Sequence, residues 1–216
     1  MIGLFLDTSS KYLTLALFKD NNLLDYYREK LDCDISKVTT SKIDELLKKD
    51  NINPTDITNI YCVNGPGSFT GIRVGVTIAK VYAWIRKINV IPVSSLYFMT
   101  TGVKDYDYII PMIDARRGYV YTAIYNKNYE EVLEQKYRSL DEIKSEITKL
   151  NGSYLVVSNE EIKNIETTYV EPDLNTMLKY LKQEEVIPHL FAPNYLKKTE
   201  AEENLKNDWR DKCTRR

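Results

Sequence analysis

Residues 60–75 read Ile60-Tyr61-Cys62-Val63-Asn64-Gly65-Pro66-Gly67-Ser68-Phe69-Thr70-Gly71-Ile72-Arg73-Val74-Gly75. Ile60 to Val63 is a short apolar run of β-branched and aromatic type, the pattern of a buried strand. Asn64-Gly65-Pro66-Gly67 closes it, and a strongly apolar helix is expected from about Thr70 to Arg86. A strand thus feeds a glycine loop and then a helix. The loop is no Walker motif, because no lysine precedes a hydroxyl at the helix start. It is no dinucleotide fingerprint either, since the spacing is G-x-G-x-x-x-G with no acid about 20 residues on. The glycines permit a tight turn and close backbone approach, and amides at a helix N-terminus can hold an anion. A plain strand-to-helix turn capped by Ser68 or Thr70 uses the same residues, and both readings stand.

Upstream, Gly3 to Leu6, Leu13 to Phe18 and Leu23 to Arg28 read as a three-stranded antiparallel meander. Its first turn carries Asp7-Thr8-Ser9, where a carboxylate and hydroxyls can orient a metal-bound phosphate or simply make a polar turn. Helical spacing begins at Thr40, with Ile43, Leu46 and Leu47 on one face and Ser41 to Asp44 as a capping box. Downstream come a strand at Val90 to Val93 and a helix from Ser94 that Gly102 ends. The first half is therefore β-β-β-α-β-α-β-α. The second half has strands at Tyr108 to Ile113, Tyr119 to Tyr125, Val132 to Tyr137 and Tyr154 to Val157, and helices at Leu140 to Leu150 and Leu174 to Leu181. Two lobes are expected, 1–103 and 104–216, with the last helix packing back on the first lobe. Lys197 to Arg216 mixes both charges around Trp209 and reads as a solvated helix or frayed tail. No internal repeat of solenoid length is visible.

The 216 residues, 43% hydrophobic and 28% charged, describe a folded chain. Thirty basic residues against 31 acidic ones leave a net charge of −1, without the basic footprint of a protein that holds nucleic acid by itself. Cys33, Cys62 and Cys213 are far apart and odd in number, which fits neither a disulfide framework nor a zinc knuckle and points to a reducing cytoplasm. The N-terminus lacks a basic n-region and no window is long and apolar enough to span a bilayer, so neither a signal peptide nor a membrane span is expected. The single histidine, His189, reads as structural, which sets aside triads and His-rich metal sites. Among the 17 tyrosines, Tyr119, Tyr121 and Tyr125 resemble base-stacking platforms, but without a basic patch they read as a half-buried sheet face. Asp114-Ala115-Arg116-Arg117 is either a phosphate- or carboxylate-pairing hairpin tip or a solvated one.

On a helical wheel of the segment after the glycine loop, Gly71, Gly75, Ala79 and Ala83 form a strip of small residues. Ile72 and Val76 flank it on one side, and Ile78, Val81 and Ile85 on the other. Arg73, Thr77 and Lys80 make a narrow polar face that includes Trp84. An apolar arc this wide must bury two sides, one against its own sheet and the other against a neighbouring helix or another chain.

With these pieces in place the sequence resembles the TsaB (YeaZ) family, in Leu4-Phe5-Leu6-Asp7-Thr8-Ser9, in Gly65 to Gly75, in Ile113 to Arg117 and in Pro193-Asn194-Tyr195-Leu196-Lys197. The resemblance implies an α/β, two-lobed, actin-like and Hsp70-like ATPase fold (ASKHA) with mixed sheets and flanking helices. It implies a non-catalytic subunit of the machinery that makes threonylcarbamoyladenosine beside the anticodon of tRNA. The partners implied are a TsaD-like paralogue and a TsaE-like ATPase, with a homodimer allowed through the same surface, tRNA met only through the complex and no membrane. In the TsaD paralogue two histidines hold a metal; the matching stretch here, Ser94 to Thr100, has none, so no metal, cofactor or catalytic residue is expected. Thr40-Ser41 also stands where the family often has a histidine before its first-helix serine. The interface implied comprises Ile43, Leu47, Ile72, Arg73, Gly75, Val76, Ala79, Lys80, Ala83 and Trp84. Asp7, Thr8, Ser9, Gly65, Gly67 and Ser68 would be the remnant of a nucleotide site. The rival expectation is an actin-like small-molecule kinase or ATPase, with Asp7 handling magnesium.

Overall fold

The computed structural model describes residues 1–32 and 34–197, so the expected tail helix lies outside the described residues. Strands β1 (Ile2–Asp7), β2 (Tyr12–Lys19) and β3 (Asn22–Lys30) form the meander. β1 and β2 are apolar almost throughout because both faces of the sheet are covered; β3, at the edge, alternates exposed with half-buried positions. After α1 (Ile35–Lys49) come a single 3₁₀ turn, β4 (Ile57–Gly65), α2 (Phe69–Arg86), β5 (Val90–Ser94) and α3 (Ser95–Thr100). β4 runs parallel to β1 and to β5, giving the order β3-β2-β1-β4-β5.

The second sheet contains β6 (Tyr108–Asp114), β7 (Tyr119–Asn126), β8 (Glu131–Ser139) and, after α4 (Leu140–Ile147), β9 (Tyr154–Val157), in the order β8-β7-β6-β9. Its three antiparallel strands and one parallel strand repeat the first four strands of the other sheet. This duplication is topological and leaves no trace as a sequence repeat. The α/β architecture with mixed sheets and flanking helices is as expected.

The first helix starts earlier than its apolar spacing implies. The Asp34 carboxylate accepts from Ser36 N and caps it, so Ser41 to Asp44 lie inside α1 and form no capping box. A first turn of Ile35, Ser36, Lys37 and Val38 lacks the buried apolar residues that mark the rest of the helix. Thr39 is tied back by its hydroxyl to Ile35 O at 2.7 Å.

Three apolar clusters fill the molecule. One lies beneath α1 and α2, joining Leu4, Leu15, Ile43, Leu47, Ile72, Val76 and Ala79. A second lies beneath α4. The third is continuous across both sheets, with Phe5, Phe18 and Tyr61 from the first and Ile109, Ala123 and Val157 from the second, closed by α5 (Leu174–Tyr180). The chain then returns to the first sheet. Val186 and Val90 exchange backbone hydrogen bonds, Phe191 is buried in the cluster beneath α2, and Asn194 N donates to Asn64 O at 2.7 Å.

Candidate functional site

The turn between β1 and β2 and the glycine loop are pressed together. Ser68 N donates to Ser9 O at 2.7 Å, and the Thr8 hydroxyl donates to Gly71 O at 2.7 Å. Gly67 has φ +155° and sits so near Ser9 that a Cβ would collide with its carbonyl oxygen, which is why glycine stands here. Ser68 Oγ accepts from Gly71 N as the helix cap. Two of the amides that an anion at this helix start could use are therefore already bonded within the chain.

Asp7 closes the turn on itself, its Oδ1 accepting from Ser9 N at 2.8 Å and from Ser9 Oγ at 2.7 Å. Only 4% of the residue is exposed. Burial raises the Asp7 carboxyl above the usual carboxylate range, against the opposing pull of the Ser9 hydrogen bonds and of Arg28. Asp7, Ser9, Gly67 and Ser68 line a cleft of about 560 Å³ between the two sheets. Its far wall is Asp114 and Arg116 of the β6–β7 turn, with Ser158 and Glu160 after β9. Two residues expected here lie elsewhere: Thr8 is buried beneath the loop, and Gly65 faces Asn194, whose carbonyl oxygen would lie 2.7 Å from a Cβ. Arg28 and Ser158 enter the cleft without having been singled out, because each arrives from a separate strand or loop and neither belongs to a local motif, and Tyr121, expected on a half-buried sheet face, lines it too.

α2 presents two different faces. Ile72, Gly75, Val76, Ala79 and Ala83 point inward and are buried over β1 and β4, with Ile43 and Leu47 of α1 in the same cluster. This corrects the expectation that the small strip packs closely against a partner: its close neighbour is Thr8 of the same chain, whose Oγ1 would lie 2.5 Å from a Cβ on Gly75. The outward stripe is Arg73, Thr77, Lys80, Val81 and Trp84, spaced by three and four residues. Trp84 is 61% exposed and the adjacent Ile85 66%. At the other end, the Arg73 guanidinium lies 3.8 Å from the Phe69 ring centroid and its Nε donates to Tyr195 Oη at 2.9 Å, while Phe69 and Tyr195 stack at 5.5 Å. His189 is exposed beside Trp84 and Ile85 and away from the cleft.

α3 is a wholly buried helix of Ser95, Leu96, Tyr97, Phe98, Met99 and Thr100, none of them a histidine. Among the described residues no three His, Cys, Asp or Glu side chains gather as metal ligands. No described helix is long and apolar enough to cross a membrane.

Residues 34–176, well over half of the chain, match the family described as TsaD: tRNA N6-adenosine threonylcarbamoyltransferase. The chain belongs to this family. Within the TsaD family, it is 37% identical over 126 residues to the tRNA threonylcarbamoyladenosine biosynthesis protein TsaB of Bacillus subtilis, covering 58% of this chain and 55% of that one. It is 30% identical over 128 residues to the protein of the same name in Escherichia coli, with coverage of 58% and 55%. The chain spans about half the length of these curated relatives. Two solved structures share the fold. A protein with similarity to peptidase YEAZ from Pseudomonas aeruginosa superposes with a TM-score of 0.76 at 18% identity, covering 91% of this chain and 99% of that one. YeaZ from the same organism gives 0.70 at 19% identity, covering 90% and 99%.

Proposed function

We propose that this protein is a non-catalytic subunit in the synthesis of threonylcarbamoyladenosine on tRNA, binding and activating a TsaD-like paralogue through the outward face of α2. The observation that carries the reading is the exposed stripe of Arg73, Thr77, Val81 and Trp84, with Lys80 half-buried beside it, on a helix whose inner face is already satisfied. Trp and Arg are the residues enriched where interfaces gain most of their binding energy. The TsaB names of the relatives support the pathway. The apolar α3, with core side chains where histidines would be needed, supports an accessory part rather than the transfer itself. Ile43, Leu47, Ile72, Gly75, Val76, Ala79 and Ala83 then act from behind, as the layer that holds the stripe rigid. In this reading the chain works in the cytoplasm as two lobes divided at 103/104, a TsaE-like ATPase joins the complex, tRNA is met only through it, and α2 also serves a homodimer.

The test is light scattering after size-exclusion chromatography, on the chain alone and mixed with the TsaD-like protein of the same genome. A mixed species that Trp84→Glu abolishes supports the reading; separate peaks with every combination of nucleotide and TsaE-like protein overturn it.

A small-molecule kinase or ATPase is the second reading, and the cleft favours it by placing Asp7 opposite Asp114 and Arg116. Robust ATP turnover by the isolated chain, lost in Asp7→Ala, would establish it.

A further inference from the structure

Two asparagine–glycine pairs occur in the chain, Asn64-Gly65 and Asn151-Gly152, and the fold treats them in opposite ways. Asparagine is labile where the backbone nitrogen of the next residue can reach its side-chain carbonyl carbon, and glycine, having no Cβ, shields that nitrogen least.

Asn64 and Gly65 end β4 and are held there. Asn64 Nδ2 donates to Ala192 O at 3.1 Å, and the Asn64 main-chain oxygen accepts from Asn194 N at 2.7 Å. Gly65 is buried in register with Ser94 of β5 and packed against the Asn194 carbonyl. The Asn64 side chain can turn toward Gly65 N only after these contacts open.

Asn151 and Gly152 lie between α4 and β9, and both are exposed. Among the described residues no hydrogen bond holds the Asn151 side chain or the Gly152 N–H. Gly152 has φ +142°, in the region where a chain without a Cβ moves at least cost.

The next residue is tightly engaged. Ser153 N and Ser153 Oγ both donate to Asp107 Oδ2 at 2.9 Å, Asp107 N donates to Ser153 Oγ at 3.1 Å, and Tyr108 N donates to Ser153 O at 3.0 Å. These bonds from Ser153 keep the Asp107 carboxyl below the usual carboxylate range. This clasp begins the parallel pairing of β6 with β9, whose first partners are Tyr108 and Tyr154.

We propose that Asn151 is a site of spontaneous covalent modification, converted to aspartate and isoaspartate, and that the change loosens the Asp107–Ser153 clasp. Gly152 N loses its proton to solvent, attacks Asn151 Cγ and displaces the side-chain nitrogen as ammonia, closing a succinimide ring. One water then opens the ring. Cleavage at Cγ leaves aspartate, and cleavage at the main-chain carbonyl leaves isoaspartate, with the backbone running through Cβ. Either product brings a second carboxylate near ionised Asp107, and isoaspartate also lengthens the main chain by one methylene just ahead of Ser153. No part of this depends on the complex proposed above.

The test is incubation of the full chain in mildly alkaline and mildly acidic buffer, followed by tryptic mapping with fragmentation that separates isoaspartate from aspartate. A mass gain of about one dalton is expected in the peptide from Leu150 to Lys163, placed on Asn151 and faster in the alkaline buffer. Asn64 should react about tenfold more slowly or less, the factor for opening the bonds that hold it. In urea the two asparagines should react at similar rates. The modified fraction, separated by its added negative charge, should unfold about 2–4 °C below the parent, the effect of weakening one or two hydrogen bonds in a chain of this size. Asn151→Gln should remain a single species with the parent's midpoint. An intact Asn151, equal rates at Asn64 and Asn151 in the folded chain, or a modified fraction as stable as the parent would overturn the proposal.

Discussion

Gly75 of α2 stands over Thr8 of the β1–β2 turn at a distance that leaves no room for a side chain: a Cβ there would lie 2.5 Å from the Thr8 hydroxyl oxygen. That hydroxyl is itself fixed by donation to Gly71 O. Replacing Gly75 with leucine should therefore destabilise the isolated chain by about 1–3 kcal/mol or more, the usual cost of overpacking a filled core. Urea unfolding of the two proteins measures it, and an unchanged midpoint would show that the turn can move aside.

Trp84 predicts the opposite pattern. Its side chain is largely in solvent. Trp84→Glu should leave the unfolding midpoint within about 0.5 kcal/mol of the parent. Affinity for the proposed TsaD-like partner should fall about 30-fold or more, the scale of a central interface residue. Fluorescence anisotropy with labelled partner would read the loss, and a Kd unaltered by the change would move the interface elsewhere.

Asp7 makes a pH prediction. Burial raises its pKa in the folded state, so between the unfolded value near 3.8 and the raised value the native state holds more protons than the unfolded one. Stability contributed by this group is then fully present below the unfolded pKa and is lost as pH rises through the raised value. In Asp7→Asn the amide oxygen can still accept from Ser9 N and Ser9 Oγ. The variant should gain stability relative to the parent at pH 7 and lose that advantage at pH 4. Denaturant midpoints at the two pH values check the sign.

Asp34 offers a control far from any site. Its carboxylate caps α1 by accepting from Ser36 N at 3.0 Å. Asp34→Ala should cost about 1 kcal/mol, while Asp34→Ser should restore most of it. Thermal unfolding distinguishes the two.

Much of the fold could be read from residue order because its elements carry strong local patterns. β9, Tyr154 to Val157, is a short apolar run between turn residues, and β1 and β2 are apolar enough to require cover on both faces. The start of α1 was hidden because its first turn contributes no buried residue and its cap is a single aspartate. The small strip on α2 was visible as a strip. Periodicity says which residues share a face, though, and not what covers it; the turn carrying Thr8 comes from more than 60 residues away in sequence. The cleft was legible on one side only. Asp7, Ser9, Gly67 and Ser68 belong to two compact motifs, whereas Arg28 is a charge on an alternating edge strand and looks like solvent-facing decoration until the sheet is folded.

The third cluster and the returning segment have a mechanical consequence. A protein whose halves are joined by one linker can swing open like a book, with the linker as spine. Here the chain crosses between the halves after α3 and returns through Val186, Phe191 and Asn194, and Phe5, Tyr61, Ile109 and Val157 are cemented into one apolar mass between them. Opening the book would tear that mass into water, at a cost that grows with every apolar side chain exposed. The molecule is accordingly built as a bracket, with its two sheets held at a fixed spacing by the apolar mass between them.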